Sequence, residues 1–197
     1  MRRLLTMASV IVVLASCSPA AESTETTTTS APASTTTTVP PTTTTTELPE
    51  LSVSSPAFED GEAIPAEYTC DGADVSPELN IVGLPETTRA ITLIVEDPDA
   101  PLGTWYHWVE FDIPASTGSH KVERDTGPIG VPGINSWNLE GYMGPCPPEG
   151  EEHVYVFRVY ALDSAVDLPA GVDADEVTAA MDDHLLDTVE LAGVYSR

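Results

Sequence analysis

Ile91-Thr92-Leu93-Ile94-Val95-Glu96-Asp97-Pro98-Asp99-Ala100-Pro101 is the stretch on which the reading of the fold turns. From Ala90 to Val95 five of six residues are apolar, as in a strand covered on both faces. The run stops at two carboxylates set among prolines. Pro98 and Pro101 fix their own φ and push Asp97 and Ala100 toward extended backbone. The pattern predicts a stiff turn at a strand end, with Asp97 and Asp99 aimed rather than free. His107, flanked by Tyr106 and Trp108, follows closely.

Outward from this stretch, the chain reads as further strands. Trp108 to Ile113 alternates, with Val109, Phe111 and Ile113 on one face and Glu110 and Asp112 on a wet one. Upstream, Leu51-Ser52-Val53 reads as an edge strand and Leu79-Asn80-Ile81 as a short one, with turns at Cys70-Asp71-Gly72 and Ser76-Pro77. Downstream, residues 118–144 carry many turn formers and little period, and a connection of that length is usually functional or wraps an edge. Val154 to Leu162 restores a strand, with His153, Tyr155, Phe157, Val159 and Ala161 on one face and Val154, Val156, Tyr160 and Leu162 on the other. A helix is predicted from near Asp173, where Asp173-Ala174-Asp175-Glu176 fits an acidic N-terminal cap. Its stripe is Val177, Met181, Leu185 and Thr188 with Ala180 and His184 beside them, and its stop is Gly193. His120 and His184 are read as surface or helix-face residues. One late helix over several strands predicts a mainly β domain, a sandwich with a peripheral C-terminal helix.

The first fifty residues are of another kind. Arg2 and Arg3 followed by the apolar run Leu4 to Leu14 form a signal peptide, residues 1–16, too short to span a bilayer. Leu14-Ala15-Ser16-Cys17 resembles the lipobox of bacterial lipoproteins, which implies a lipid on Cys17 and attachment to the extracytoplasmic face of the cell membrane. Residues 17–50 are Thr, Pro, Ser and Ala with a few Glu, too poor in apolar side chains to offset the entropy of ordering. They are predicted to be a disordered tether, a candidate for O-glycosylation, in which the stretch from Ala21 to Glu50 would span up to roughly 90 Å at about 3.1 Å per residue if extended. Residues 51–197 remain as one domain large enough for a real core.

The chain has 7 Lys and Arg against 32 Asp and Glu, a net charge of −25. Without Arg2 and Arg3 it is −27. Such a charge repels nucleic acid and anionic headgroups at long range, so nucleic acid is not an expected partner. With Cys17 lipidated, Cys70 and Cys146 remain as an even pair in an oxidising compartment, and a disulfide is the leading reading. It would close a loop of about 75 residues, worth roughly 4–5 kcal/mol in the chain-entropy model. Two buried thiols or a metal site are the alternatives.

Several motifs in order carry a family resemblance. Asp97-Pro98-Asp99-Ala100-Pro101, His107-Trp108, Gly144-Pro145-Cys146-Pro147-Pro148, and His153-Val154-Tyr155 with Tyr160-Ala161-Leu162-Asp163 resemble the phosphatidylethanolamine-binding protein family, also called Raf kinase inhibitor-like proteins. Cys70-Asp71-Gly72, Ser76-Pro77 and the ending Gly193-Val194-Tyr195-Ser196-Arg197 resemble its bacterial and archaeal branch. The resemblance covers Leu51 to Arg197. It implies an antiparallel Greek-key β-sandwich with a small pocket for phosphate-like groups or phospholipid headgroups. Asp97, Asp99 and His107 would form one wall, Gly144, Pro147, His153 and Tyr155 another, and Tyr195 the rim. The chain departs from the usual His-Arg-Tyr by having Val154, and leads into His153 with Gly150-Glu151-Glu152.

The residues themselves are compatible with that chemistry. Asp97 or Asp99 accepting from His107 would favour an imidazolium that donates to an anion. Backbone N–H groups near Gly144 could approach a ligand closely, and Tyr155 offers a hydroxyl. No Gly-x-Ser-x-Gly elbow or phosphate loop is present, so a non-catalytic binding module without cofactor is the expected function. One rival is an inhibitor or regulator of a protein, with an envelope or extracellular protease a more sensible target than a kinase. The other is a metalloenzyme using Asp97, Asp99, His107 and His153, a mixed N/O set whose spacing matches no standard motif.

Overall fold

The computed structural model describes residues 49–197. The predicted signal peptide, Cys17 and all but the last two residues of the predicted tether lie outside the described residues. Eight strands and one helix follow in order: β1 Ser52–Ser54, β2 Leu79–Leu84, β3 Ala90–Asp97, β4 Trp105–Pro114, β5 Gly118–Val122, β6 Val131–Pro132, β7 Glu152–Leu162, α1 Ala174–Met181 and β8 Leu185–Ser196. They form two antiparallel sheets, one of order β1-β2-β5 and one of order β6-β4-β3-β7-β8. The mainly β expectation holds.

β3 lies between β4 and β7 and is buried along nearly its whole length, as its apolar run requires. Each of its faces feeds a different core. Ile91, Leu93 and Val95 join Leu79, Ile81, Leu84, Tyr155, Phe157 and Val159 between the two sheets. Ala90 and Ile94 join Val109, Phe111, Leu162, Val177 and Met181 beneath α1. β7 divides its side chains between the same cores in the predicted alternation.

Five expectations are corrected. The face of β4 that was to be wet is not: Glu110 is 1% exposed. Nor do Phe111 and Ile113 share a face, since they belong to different cores. The cause is a β-bulge. Leu93 pairs with Glu110 but Ile91 with Ile113, so β4 carries one residue too many, and Asp112 absorbs it at φ +51°. The helix starts where predicted, with a complete capping box between Asp173 and Glu176, but ends at Met181 and is not the C-terminal element. Asp182 and Asp183 follow at the end where the helix dipole disfavours negative charge, and residues 185–196 instead pair with the whole length of β7. His184 consequently lies in the turn after the helix, against Ser164 and Asp163, and not on a helix face. Ser76-Pro77 is irregular chain rather than a turn.

Cys70 and Cys146 are bonded, with Cα atoms 5.5 Å apart. The long connection after β5 wraps from one sheet to the other, supplying β6 and then the loop that carries Cys146.

Candidate functional site

At the end of β3 the chain does what its prolines suggest. Asp97 Oδ1 accepts from the backbone N–H of Asp99 at 2.9 Å, closing a tight turn. Asp99 Oδ2 accepts from Val154 N–H at 2.9 Å, which ties that turn to the start of β7. Asp97 is 4% exposed, and its other oxygen lies 2.7 Å from Nδ1 of His153. The carboxylate–imidazole pair is therefore Asp97–His153; the expected bond from His107 to an aspartate is not made.

His107 owes its direction to a second irregularity in β4. Val95 pairs with Trp108 and Glu96 with Tyr106, leaving His107 without a partner on β3. The bulge lets His107 and Trp108, adjacent in sequence, both turn inward: His107 packs edge-on against Tyr155 at 5.2 Å, and Trp108 joins the core that contains Tyr155. His107 Nδ1 is 2.6 Å from the carbonyl oxygen of Met143. A carbonyl only accepts, so Nδ1 carries the hydrogen and, in the neutral ring, Nε2 is an acceptor.

The two imidazoles titrate in opposite directions. Burial, the largest influence on His107, lowers its pKa below 6.5 despite the Met143 carbonyl and the Asp97 and Asp74 carboxylates nearby. Burial also opposes charge on His153, but the hydrogen bonds to Asp97 and Glu151 outweigh it and raise the pKa above 6.5. Tyr155 lies between them, fully buried, with its hydroxyl unpartnered among the described residues. Its pKa is raised well beyond the ordinary value, by burial first and then by Asp97.

Both histidines line one cavity of about 260 Å³, together with Asp97, Trp105, Trp137, Pro101, Pro147 and Pro148 among others. Its far wall is the loop after Tyr142. Tyr142 Oη donates to the Tyr68 carbonyl at 2.7 Å, Gly144 N–H to Asp74 Oδ1 at 2.6 Å, and Cys70 N–H to the Pro145 carbonyl at 3.2 Å. The disulfide completes the seam. Gly144 is required here because any β-carbon would collide with the Tyr68 carbonyl.

A family model described as phosphatidylethanolamine-binding protein matches residues 54–196. This chain belongs to the phosphatidylethanolamine-binding protein family. A UPF0098 protein of Methanothermobacter thermautotrophicus is 43% identical over 151 residues, 75% of this chain and 99% of the relative. One of Pyrococcus horikoshii is 42% identical over 153 residues, covering 75% and 77%. Among solved structures, a phosphatidylethanolamine-binding protein homologue from Chlamydia trachomatis has 34% identity and a TM-score of 0.70, over 75% of this chain and 98% of its own. The E. coli protein YbcL, described as a new member of the mammalian phosphatidylethanolamine-binding protein family, has 30% identity and a TM-score of 0.69, over 76% of this chain and 99% of its own.

Within this family member, four of the eight predicted site residues line the cavity: Asp97, His107, Pro147 and His153. The other four support it or lie apart. Asp99 and Gly144 spend their polar groups on the frame, so Gly144 does not offer its N–H to a ligand. Tyr155 spaces the two imidazoles. Tyr195 is the cross-strand partner of His153, but its hydroxyl turns to Asp71 at 2.9 Å, where Arg197 also bonds, and it is not part of the lining. The sequence reading missed Trp105, Trp137 and the Met143 carbonyl. Trp105 is two residues before His107, which was a usable signal; Trp137, in a loop without period, offered none. No cluster of three or more His, Cys, Asp or Glu among the described residues is arranged to hold a metal ion.

Proposed function

We propose that this domain is a non-catalytic binding module whose cavity takes the anionic end of a small ligand, of the phosphate-ester or phospholipid-headgroup kind, with the rest of the ligand against the tryptophan and proline walls. The observation that carries this reading is the meeting of His107 and His153, borne on different strands, at a single cavity otherwise lined largely by Trp, Pro, Ala and Leu. His153 brings the positive charge and His107 a lone pair. Cys146 in the lining is committed to the disulfide, which removes it as a nucleophile. Titration calorimetry of the full chain with phosphoethanolamine and glycerophosphoethanolamine tests the reading. Heat with at least one of them, lost in His153→Ala, is expected; no heat with either overturns it.

The same proposal places the domain outside the cell membrane on a lipid tether. Support comes from the basic start, the short apolar run and Leu14-Ala15-Ser16-Cys17. Mass spectrometry of the membrane fraction should find a diacylated N-terminal Cys17, and an unmodified chain recovered from the soluble fraction would overturn the anchor.

A further inference from the structure

We infer that the cavity selects singly charged anions over dianions, and that Glu151 is the residue that sets this preference. The inference rests on the anion-binding reading above and concerns which anions it covers: sulfate monoesters, phosphate diesters and carboxylates rather than phosphate monoesters in their doubly ionised form.

The cavity has one place where positive charge can reside. Of its lining residues, only Asp97, His107 and His153 can titrate, since Cys146 is in the disulfide. His107 donates its Nδ1–H to Met143 and is buried, so it presents an uncharged Nε2. His153 is the remaining candidate, and Asp97, 2.7 Å from its Nδ1, already balances its charge. An anion entering here therefore meets no surplus of positive charge to neutralise a second negative one. Asp99 acts on His153 as well.

The other ring nitrogen of His153 shows what the site accepts. Glu151 Oε2 lies 3.3 Å from Nε2. The Glu151 side chain is 57% exposed and the imidazole 5%, so a carboxylate reaches in from solvent to the one N–H of His153 that Asp97 does not hold. Glu151 is fixed by its backbone, its N–H donating to the Pro148 carbonyl at 3.1 Å and its carbonyl accepting from Arg197 N–H at 3.3 Å, while its side chain faces solvent. A ligand that takes Nε2 must displace this carboxylate and then remain close to it. Each added negative charge on the ligand is opposed by Glu151, Asp97 and Asp99 together.

Calorimetry at pH 7.5 with phenyl sulfate and phenyl phosphate, which share an aromatic body, reads this directly. The sulfate is a monoanion throughout, whereas the phosphate passes to the dianion near pH 6. The wild-type full chain should bind phenyl sulfate at least about tenfold more tightly than phenyl phosphate, and Glu151→Gln should bring the ratio to within about threefold by tightening the phosphate. Lowering the pH to 5 should also bring the wild-type ratio toward one; protonation of His153 affects both ligands and cancels in it. Equal affinities in the wild type at pH 7.5, or a ratio unmoved by both Glu151→Gln and Glu151→Ala, would overturn the inference while leaving the anion site standing. Failure of both probes to bind, with no shift of the His153 ring resonances by either, would remove both readings together.

Discussion

The five-stranded sheet holds two buried carboxylates on neighbouring strands, Asp97 on β3 and Glu110 on β4, and their surroundings differ. Asp97 accepts two short hydrogen bonds, one from an imidazole whose charge it stabilises, and faces a cavity. Glu110 accepts longer ones, from Trp108 Nε1 at 3.5 Å and Gly130 N–H at 3.3 Å, with no cation beside it among the described residues. Burial, the largest influence on Glu110, raises its pKa above 4.5. Burial thus does not by itself make an acid part of a site; a paired charge and an opening do. Glu110 fastens the wrapping loop at Gly130 to β4, as Asp112 fastens the loop before α1 through Val166 and Asp167.

The contrast can be broken most forcefully at Asp97. Asp97→Ala leaves His153 without its partner and unties the Asp99 turn, and should cost about 3–5 kcal/mol in urea unfolding. A loss below about 1 kcal/mol would put Asp97 in the same class as an exposed ion pair. Removing the staple comes next. Cys70→Ala with Cys146→Ala should cost about 2–4 kcal/mol. In two-dimensional NMR it should move the signals of His107 and His153, whose cavity wall it holds, more than the Trp108 indole beside Glu110.

Glu110→Gln should be nearly silent at neutral pH, within about 1 kcal/mol of wild type in either direction, because the charge it removes has no compensating partner. The pH dependence gives the sharper reading. Glu110 has a raised folded pKa, so the native state holds the proton more tightly than the unfolded one. Its contribution is fully present below pH 4.5 and is lost as pH rises through the folded value. The stability of Glu110→Gln relative to wild type should accordingly climb over that window and be flat below it. A flat difference throughout would mean that burial does not raise the Glu110 pKa.

The smallest effect separates the two imidazoles. His153, raised, contributes stability below pH 6.5 that is lost as pH rises through its folded value; His107, lowered, works against stability as pH falls below 6.5. NMR titration should find His153 protonating above 6.5 and His107 below it, and Asp97→Asn should draw the two midpoints together. Midpoints in the reverse order would break the assignment of charge within the cavity.

The sequence by itself determined the β character, the doubly covered central strand, the two faces of β7, the start of the helix and the disulfide pair. Each is written in local pattern or in parity: alternation, proline placement, a capping box, two cysteines within residues 51–197. It also determined the family, and with it four cavity residues. The tertiary structure alone decided which histidine meets Asp97, because a bulge adds one residue at His107 and no period in the sequence marks a bulge. A second bulge, at Asp112, likewise sent Phe111 and Ile113 to different cores, on a strand buried on both faces. β8 appears only through pairing with β7, since residues 185–196 carry enough helical spacing to read as the end of α1 until a strand is placed beside them. Glu151, three residues beyond the last proline of the wall, donates its N–H to the Pro148 carbonyl and accepts at its own carbonyl from Arg197 N–H, a contact that no single stretch contains.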